Sequence, residues 1–364
     1  MKTRVIALYL PQYHPTPNND KWWGKGFTEW TNVGKAKKYF RGHEQPKVPA
    51  DLGYYDLRIP ECREAQAELA KEAGIEAFCY YHYWFGNGRE ELDLPFKETL
   101  RTGRPDFPFC LCWANETWYS KFWNMDGTVS KKTIAEQLYP GDHDIINHFN
   151  SLLPAFKDER YVKINGKLFF MIYTPFDYPE VSHFMEMWNK LAIENGLKGF
   201  YFVAHLVHGR EITPSNVDKL IAMGFDAVNV AGLFRAIQKD RTFLDRVIHK
   251  VFNRPYLITY KKALKEMITE DDNRPEVIPT ITPNWDHSPR SGASGVVVTH
   301  SSGELFKQLV RKALNIIKDR DAENRIIVLK AWNEWGEGNY MEPDLKHGKE
   351  YINALREVLN EIDG

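Results

Sequence analysis

Glu334 and Glu337 are the side chains in this sequence whose type and spacing most plainly suit a reaction. They stand in Lys330-Ala331-Trp332-Asn333-Glu334-Trp335-Gly336-Glu337-Gly338. Two acids three residues apart along a turn can face one side of the backbone. Held close together, they cannot both ionise freely, and burial beside indole rings pushes one pKa up further. The result is one acid and one base near neutral pH. Cleavage of a glycosidic bond asks for that division: one carboxyl protonates the departing oxygen while the other stabilises or generates the attacking group.

Such a pair must be held by something rigid. Ile326-Ile327-Val328-Leu329, just upstream, is continuously apolar and β-branched, which reads as a strand buried on both faces. Gly336 and Gly338 then permit a tight turn. The same kind of unit recurs along the chain. Residues 60–73 read as a helix from Pro60 at its first turn to Gly74 as its stop, and a strand over 77–81 follows. Helix, glycine and strand return around Gly196 and Gly224.

Eight strands are expected in all, over 5–9, 77–81, 109–113, 168–173, 200–204, 227–230, 277–282 and 326–330. Helical patterns lie between them, including 179–195, 214–223, 304–318 and 351–362, the third opened by a Ser301-x-x-Glu304 capping box. The pattern predicts an α/β fold, a single (β/α)₈ TIM barrel over residues 1–364 with long βα loops; a doubly wound open sheet is the alternative. A barrel demands that functional side chains sit just past the C-terminal ends of strands. His14, His82, Trp113 with Asn115 and Glu116, Tyr173, His205, Trp285 and Asn333 all fall near those ends. With Trp30 and Trp335 they are the candidate sugar-binding residues. Asn115-Glu116 repeats the Asn-Glu pairing of the last strand, which makes Glu116 a rival catalytic acid, a sugar-hydroxyl ligand or a structural group. Residues 20–42, rich in tryptophan, read as a substrate wall or lid, or as a loop pinned by its own aromatics.

Composition narrows the partners. Of 364 residues 43% are apolar, enough for a large core, and 48 Lys and Arg nearly balance 49 Asp and Glu, so no net field would recruit nucleic acid or an anionic membrane. Aromatics reach 14%, with 11 Trp and 18 Tyr, which favours stacking on the C–H faces of an oligo- or polysaccharide. No apolar stretch has membrane-spanning length, no secretory signal is visible at the N-terminus, and a cytoplasmic protein without an obligate protein partner is expected. Four cysteines read as buried thiols of a reduced compartment. His205-x-x-His208 lacks a third ligand at metal-binding spacing, and no glycine-rich phosphate loop opens a helix, so neither a metal nor another cofactor is expected.

Taken in order, Ala7-Leu8-Tyr9-Leu10-Pro11-Gln12-Tyr13-His14, Gly26-Phe27-Thr28-Glu29-Trp30-Thr31-Asn32-Val33, Tyr80-Tyr81-His82-Tyr83-Trp84-Phe85, Trp113-Ala114-Asn115-Glu116 and Trp332 to Gly338 resemble the WbsX-like family. That family is labelled as glycosyltransferases of polysaccharide biosynthesis, and it is similar to the endo-α-mannosidases of glycoside hydrolase family ninety-nine. The resemblance implies a (β/α)₈ barrel and, from the hydrolase relatives, retention of configuration. It also implies that Glu334 is the base acting on the sugar's own 2-hydroxyl and Glu337 the general acid and base. Three readings follow: a retaining, endo-acting glycoside hydrolase; a glycosyltransferase of cell-surface polysaccharide (O-antigen or capsule) assembly; and a carbohydrate-binding barrel that has lost catalysis.

Overall fold

The computed structural model describes residues 3–123 and 129–363. Eight strands run parallel: β1 Arg4–Tyr9, β2 Ala77–Trp84, β3 Phe109–Trp113, β4 Lys167–Ile172, β5 Phe200–Leu206, β6 Ala227–Val230, β7 Val277–Ile281 and β8 Ile326–Leu329. Each pairs with the next, and β1 closes the ring by pairing with both neighbours: Ile6 stands opposite Ala77 on one side and Val328 on the other. Closure leaves no strand edge unpaired and settles the barrel against the open sheet.

The helices form as their sequences direct. Pro60–Ala73 has proline at its start and stops at Gly74, whose φ of 85° suits glycine. The helix Gly303–Ile317 is capped one residue later than expected: Ser302, not Ser301, accepts from the Leu305 amide. Every residue of β8 is buried, each worth about 1.5–3 kcal/mol relative to exposure. The last strand is therefore a rigid post. Past its end, Asn333 clamps the barrel: its Oδ1 accepts from the Leu10 amide at 2.8 Å and its Nδ2 donates to the Leu10 carbonyl at 3.0 Å. That pair ties the exits of β1 and β8 together.

Two strands run further than their sequences suggest. β2 continues three residues beyond 81, and β5 continues two beyond 204. Side chains alternate faces as long as a strand lasts, so this extension decides which residues of 81–84 and 204–206 look into the barrel. The loop 20–42 is built from two short helices, Pro17–Trp23 and Glu29–Gly34. It is pinned. Trp30 Nε1 donates to the Tyr55 carbonyl at 2.8 Å, and its ring meets Tyr13, Tyr54, Tyr55 and Trp335.

Candidate active site

Both glutamates converge on shared cations. Arg290, in the loop after β7, sends Nη1 to Glu337 Oε1 at 2.6 Å, Nη2 to Glu334 Oε2 at 3.1 Å, and Nε to Glu29 Oε1 at 2.8 Å. Lys330, at the end of β8, lies 3.9 Å from Glu334 and 3.6 Å from Glu337, and His287 Nε2 lies 3.5 Å from Glu337. A guanidinium is planar and permanently charged, so its three N–H edges can organise three carboxylates at once. The two acids thus face each other across Arg290 and Lys330. Glu334 is nearly closed off, its side chain 5% exposed, whereas Glu337 at 14% is the more open.

The charges are divided unequally. Burial and repulsion from Glu337 push the Glu334 carboxyl up against the opposing pull of Lys330 and Arg290. Burial also works against Glu337, but Arg290, Lys330 and His287 together hold its carboxyl well below the usual carboxylate range. As a coupled pair, they make Glu334 the more readily protonated of the two carboxyls.

Gly336 makes the arrangement possible. A Cβ there would lie 1.6 Å from Glu29 Oε1 and 3.1 Å from Arg290 Nε. Gly336→Ala should therefore expel the Glu29 carboxylate, lower stability by at least the ~1–3 kcal/mol of overpacking, and depress activity with it. An unchanged melting temperature would show that Glu29 is not held there. Behind the site, Glu342 accepts from Trp335 Nε1 and Gln66 Nε2, both at 2.6 Å, and from the Tyr55 hydroxyl at 2.9 Å. Burial nevertheless pushes its carboxyl up to about 7. A carboxyl raised on folding stabilises fully below its unfolded pKa, and that contribution fades as pH climbs toward the folded value. Stability should thus decline by about 3 kcal/mol between pH ~4.5 and ~7, and Glu342→Gln should flatten the slope; equal slopes in a pH series of melting curves would contradict this.

Of the residues marked from sequence, Tyr173, His205, Trp285 and Glu116 lie near the pair. Tyr173 sits 5.9 Å from the Tyr81 ring and 5.2 Å from His205, and Trp285 packs 5.6 Å from Lys330 Nζ. Burial, then Lys330, lowers His205 to about 3, so its ring is neutral. Burial raises the Glu116 carboxyl, with His208 opposing.

Others are placed elsewhere. His82 and Trp113 face the helix layer: His82 Nε2 meets His148 Nε2 at 2.8 Å, and Trp113 packs on His148 and Phe184. Because β2 stays regular to Trp84, the inward residues are Tyr81 and Tyr83, each raised first by burial and then by the charge of Glu334. Asn115 holds Thr174 by two hydrogen bonds, at 2.9 Å each, and Asn333 is consumed by Leu10. Trp335 stacks on Tyr340 at 3.8 Å, Trp30 joins the aromatic pin, and His14 is buried with Nδ1 3.0 Å from the Pro11 carbonyl. These five brace the rim.

Arg290, Lys330, His287, Tyr81, Tyr83 and Glu29 had no assigned role from sequence. Strand parity carried far enough along β2 would have found the tyrosines; the long-range pairing of Glu29 with Arg290 had no local signal. A cavity of about 330 Å³ lies behind the loops that carry the pair, lined by Phe40, His43, Asn284, Gly338 and Tyr351 among others, and neither glutamate lines it. Among the described residues no group of three His, Cys, Asp or Glu could hold a metal ion. No described helix is long and apolar enough to cross a membrane.

Comparison with known proteins agrees with this architecture. A solved glycoside hydrolase-like protein superposes with a TM-score of 0.59 at 13% identity, over 98% of this chain and 94% of its own. The GH99 endo-alpha-mannosidase of Bacteroides thetaiotaomicron gives 0.55 at 13%, over 99% and 96%. Both likenesses are of fold. In sequence, a protein called WxcX from Xanthomonas campestris pv. campestris is 32% identical over 362 residues, 98% of this chain. The chain spans about half, 49%, of that relative's length. The profile of the family described as glycosyltransferase WbsX matches residues 5–355, and the chain belongs to that family.

Proposed function

We propose that the chain is a retaining, endo-acting glycoside hydrolase in which Glu334 and Glu337 divide the proton work on a saccharide. The observation that carries this reading is the convergence of both carboxylates on Arg290 and Lys330 at the C-terminal end of β8. One ammonium 3.9 Å from the first acid and 3.6 Å from the second is compatible with the short separation of retaining sites, about 5–5.5 Å.

The division of charge supports roles opposite to those the resemblance implies. Glu337, held as a carboxylate, takes the proton of the sugar 2-hydroxyl as its oxygen attacks the anomeric carbon. Glu334, the more readily protonated of the two, gives its proton to the departing glycosidic oxygen. In the second half, water opens the anhydro-sugar: Glu334 takes a proton from the water and Glu337 returns one to the 2-oxygen. Tyr81, Tyr83 and Tyr173 would line the sugar's path, and no cofactor enters.

The test is dependence on the leaving group, because an acidic phenol departs without protonation. Glu334→Gln should spare the first release of phenol from aryl glycosides with acidic leaving groups, seen as a burst ahead of slow turnover, and lose cleavage of oligosaccharides; the same burst in Glu337→Gln and its absence in Glu334→Gln would restore the roles implied by the resemblance. The family's description favours a second reading, transfer of the glycosyl group to a saccharide acceptor in polysaccharide assembly. The same pair could serve it. Clear calorimetric binding of a nucleotide sugar would favour that reading, since the hydrolase reading expects none across a panel.

A further inference from the structure

The helix Phe243–Phe252 turns its apolar face outward. Its apolar residues fall at 243, 244, 247, 248, 251 and 252, one continuous side of a 3.6-residue turn, with polar residues at 245, 246, 249 and 250 on the other. In a surface helix of a globular protein that side faces the core. Here Phe243 is 78% exposed, Phe252 70%, Val251 66% and Leu244 64%. Among the described residues fourteen large apolar side chains are exposed, and five belong to this ten-residue helix.

Its surroundings are cationic. Residues 239–266 carry eight Lys and Arg against three Asp and Glu, a surplus of five in a chain whose net charge is −1. Two of the three acids already pair within the segment: Lys239 bonds Glu266 at 2.7 Å, and Lys262 bonds Asp240. The third, Asp245, is taken up in the helix cap, accepting from the Thr242 amide at 2.8 Å. Arg241, Lys261 and Lys265 stand exposed on this segment, while its three acids are already engaged within it.

We propose that this helix docks the protein on a bilayer surface rich in anionic lipid, lying in the interface with Phe243, Leu244, Val247 and Val251 among the acyl chains. Short amphipathic helices with an aromatic and aliphatic face beside Lys and Arg lie in that plane, held jointly by apolar burial and by headgroup charge. A second copy of this chain would fit less well, because apposing two such faces brings two cationic segments together, whereas anionic headgroups neutralise them. The helix belongs to an excursion that leaves the barrel at the C-terminal end of β6. The preceding helix, Gly232–Asp240, rests Phe234 on Trp285 at 5.1 Å. The docking face therefore arises from the same end of the barrel as Glu334 and Glu337, yet uses none of the groups assigned to catalysis.

Flotation of the full chain on vesicles tests this directly. Vesicles of phosphatidylcholine with about one-third phosphatidylglycerol should carry the protein up the gradient at ~0.1 M salt, and pure phosphatidylcholine or ~1 M salt should carry far less. The double variant Phe243→Ser with Val251→Ser should partition about tenfold less, with an unchanged melting temperature because both side chains are exposed. Failure to float on anionic vesicles, or equal flotation of the variant, overturns the proposal. So does a concentration-dependent dimer in light scattering that the variant abolishes, which would assign the face to a second copy. None of these readouts depends on turnover.

Discussion

Glu337→Gln should slow turnover about 10²–10⁴-fold on every substrate, whatever its leaving group, while leaving the fold intact. The reason lies in the charges around it. Glu337 is the carboxylate that Arg290, Lys330 and His287 hold ionised. An amide in its place can neither take a proton nor repel one onto Glu334. The second acid then loses the neighbour that raises it and gains the undivided attraction of Arg290 and Lys330, so its own pKa falls and the proton needed by the leaving oxygen goes too. One substitution removes both functions. Steady-state kinetics on an oligosaccharide and on an activated aryl glycoside, compared with wild type, would decide; activity within tenfold of wild type on either would sink the pairing.

Arg290→Met should be nearly as severe and should also unsettle the fold. Three carboxylates lean on this one guanidinium, and Glu29, 1% exposed, would keep little compensation. Leaving a buried charge unpaired costs about 3–5 kcal/mol. The pH dependence carries the finer signature. A carboxyl depressed on folding stabilises above its unfolded pKa of about 4.3, and that contribution is lost as pH falls through the folded value. Without Arg290 the Glu337 pKa rises, so the acidic limb of the pH–rate profile should move to higher pH and the stability lost at neutral pH should shrink on acidification. Arg290→Lys should recover part of the melting temperature but not the profile, since one ammonium cannot meet three carboxylates in a plane. An unmoved acidic limb in Arg290→Met would show that Arg290 braces the loops without setting the charge on Glu337.

The last strand and its acids were legible because the signal is local. A continuous apolar run names a buried strand, and Gly336 and Gly338 beyond it name the turn. The ring of eight was legible for the same reason: helix, glycine and strand repeat within short windows. What escaped was parity and distance. Ending β2 at 81 placed His82 on a rim, but the strand runs to Trp84, and alternation sends His82 to His148 and brings Tyr81 and Tyr83 inward. Asn115 and Asn333 look like sugar ligands in sequence, yet buried backbone groups at strand exits need partners, and these asparagines supply them. Arg290 and Glu29 are 261 residues apart, and only the closed barrel brings them together. Near-balance over the whole chain coexists with a local surplus carried by residues 239–266, which a net charge does not register.

The anomeric outcome tests the account most directly. Proton NMR in the first minutes of oligosaccharide turnover should show the product released with the configuration of the bond that was cleaved, and Glu337→Gln should show no product at all on that timescale. An inverted first product, or release that persists in the variant, would contradict the assignment of Glu334 and Glu337 as one proton-sharing, retaining pair.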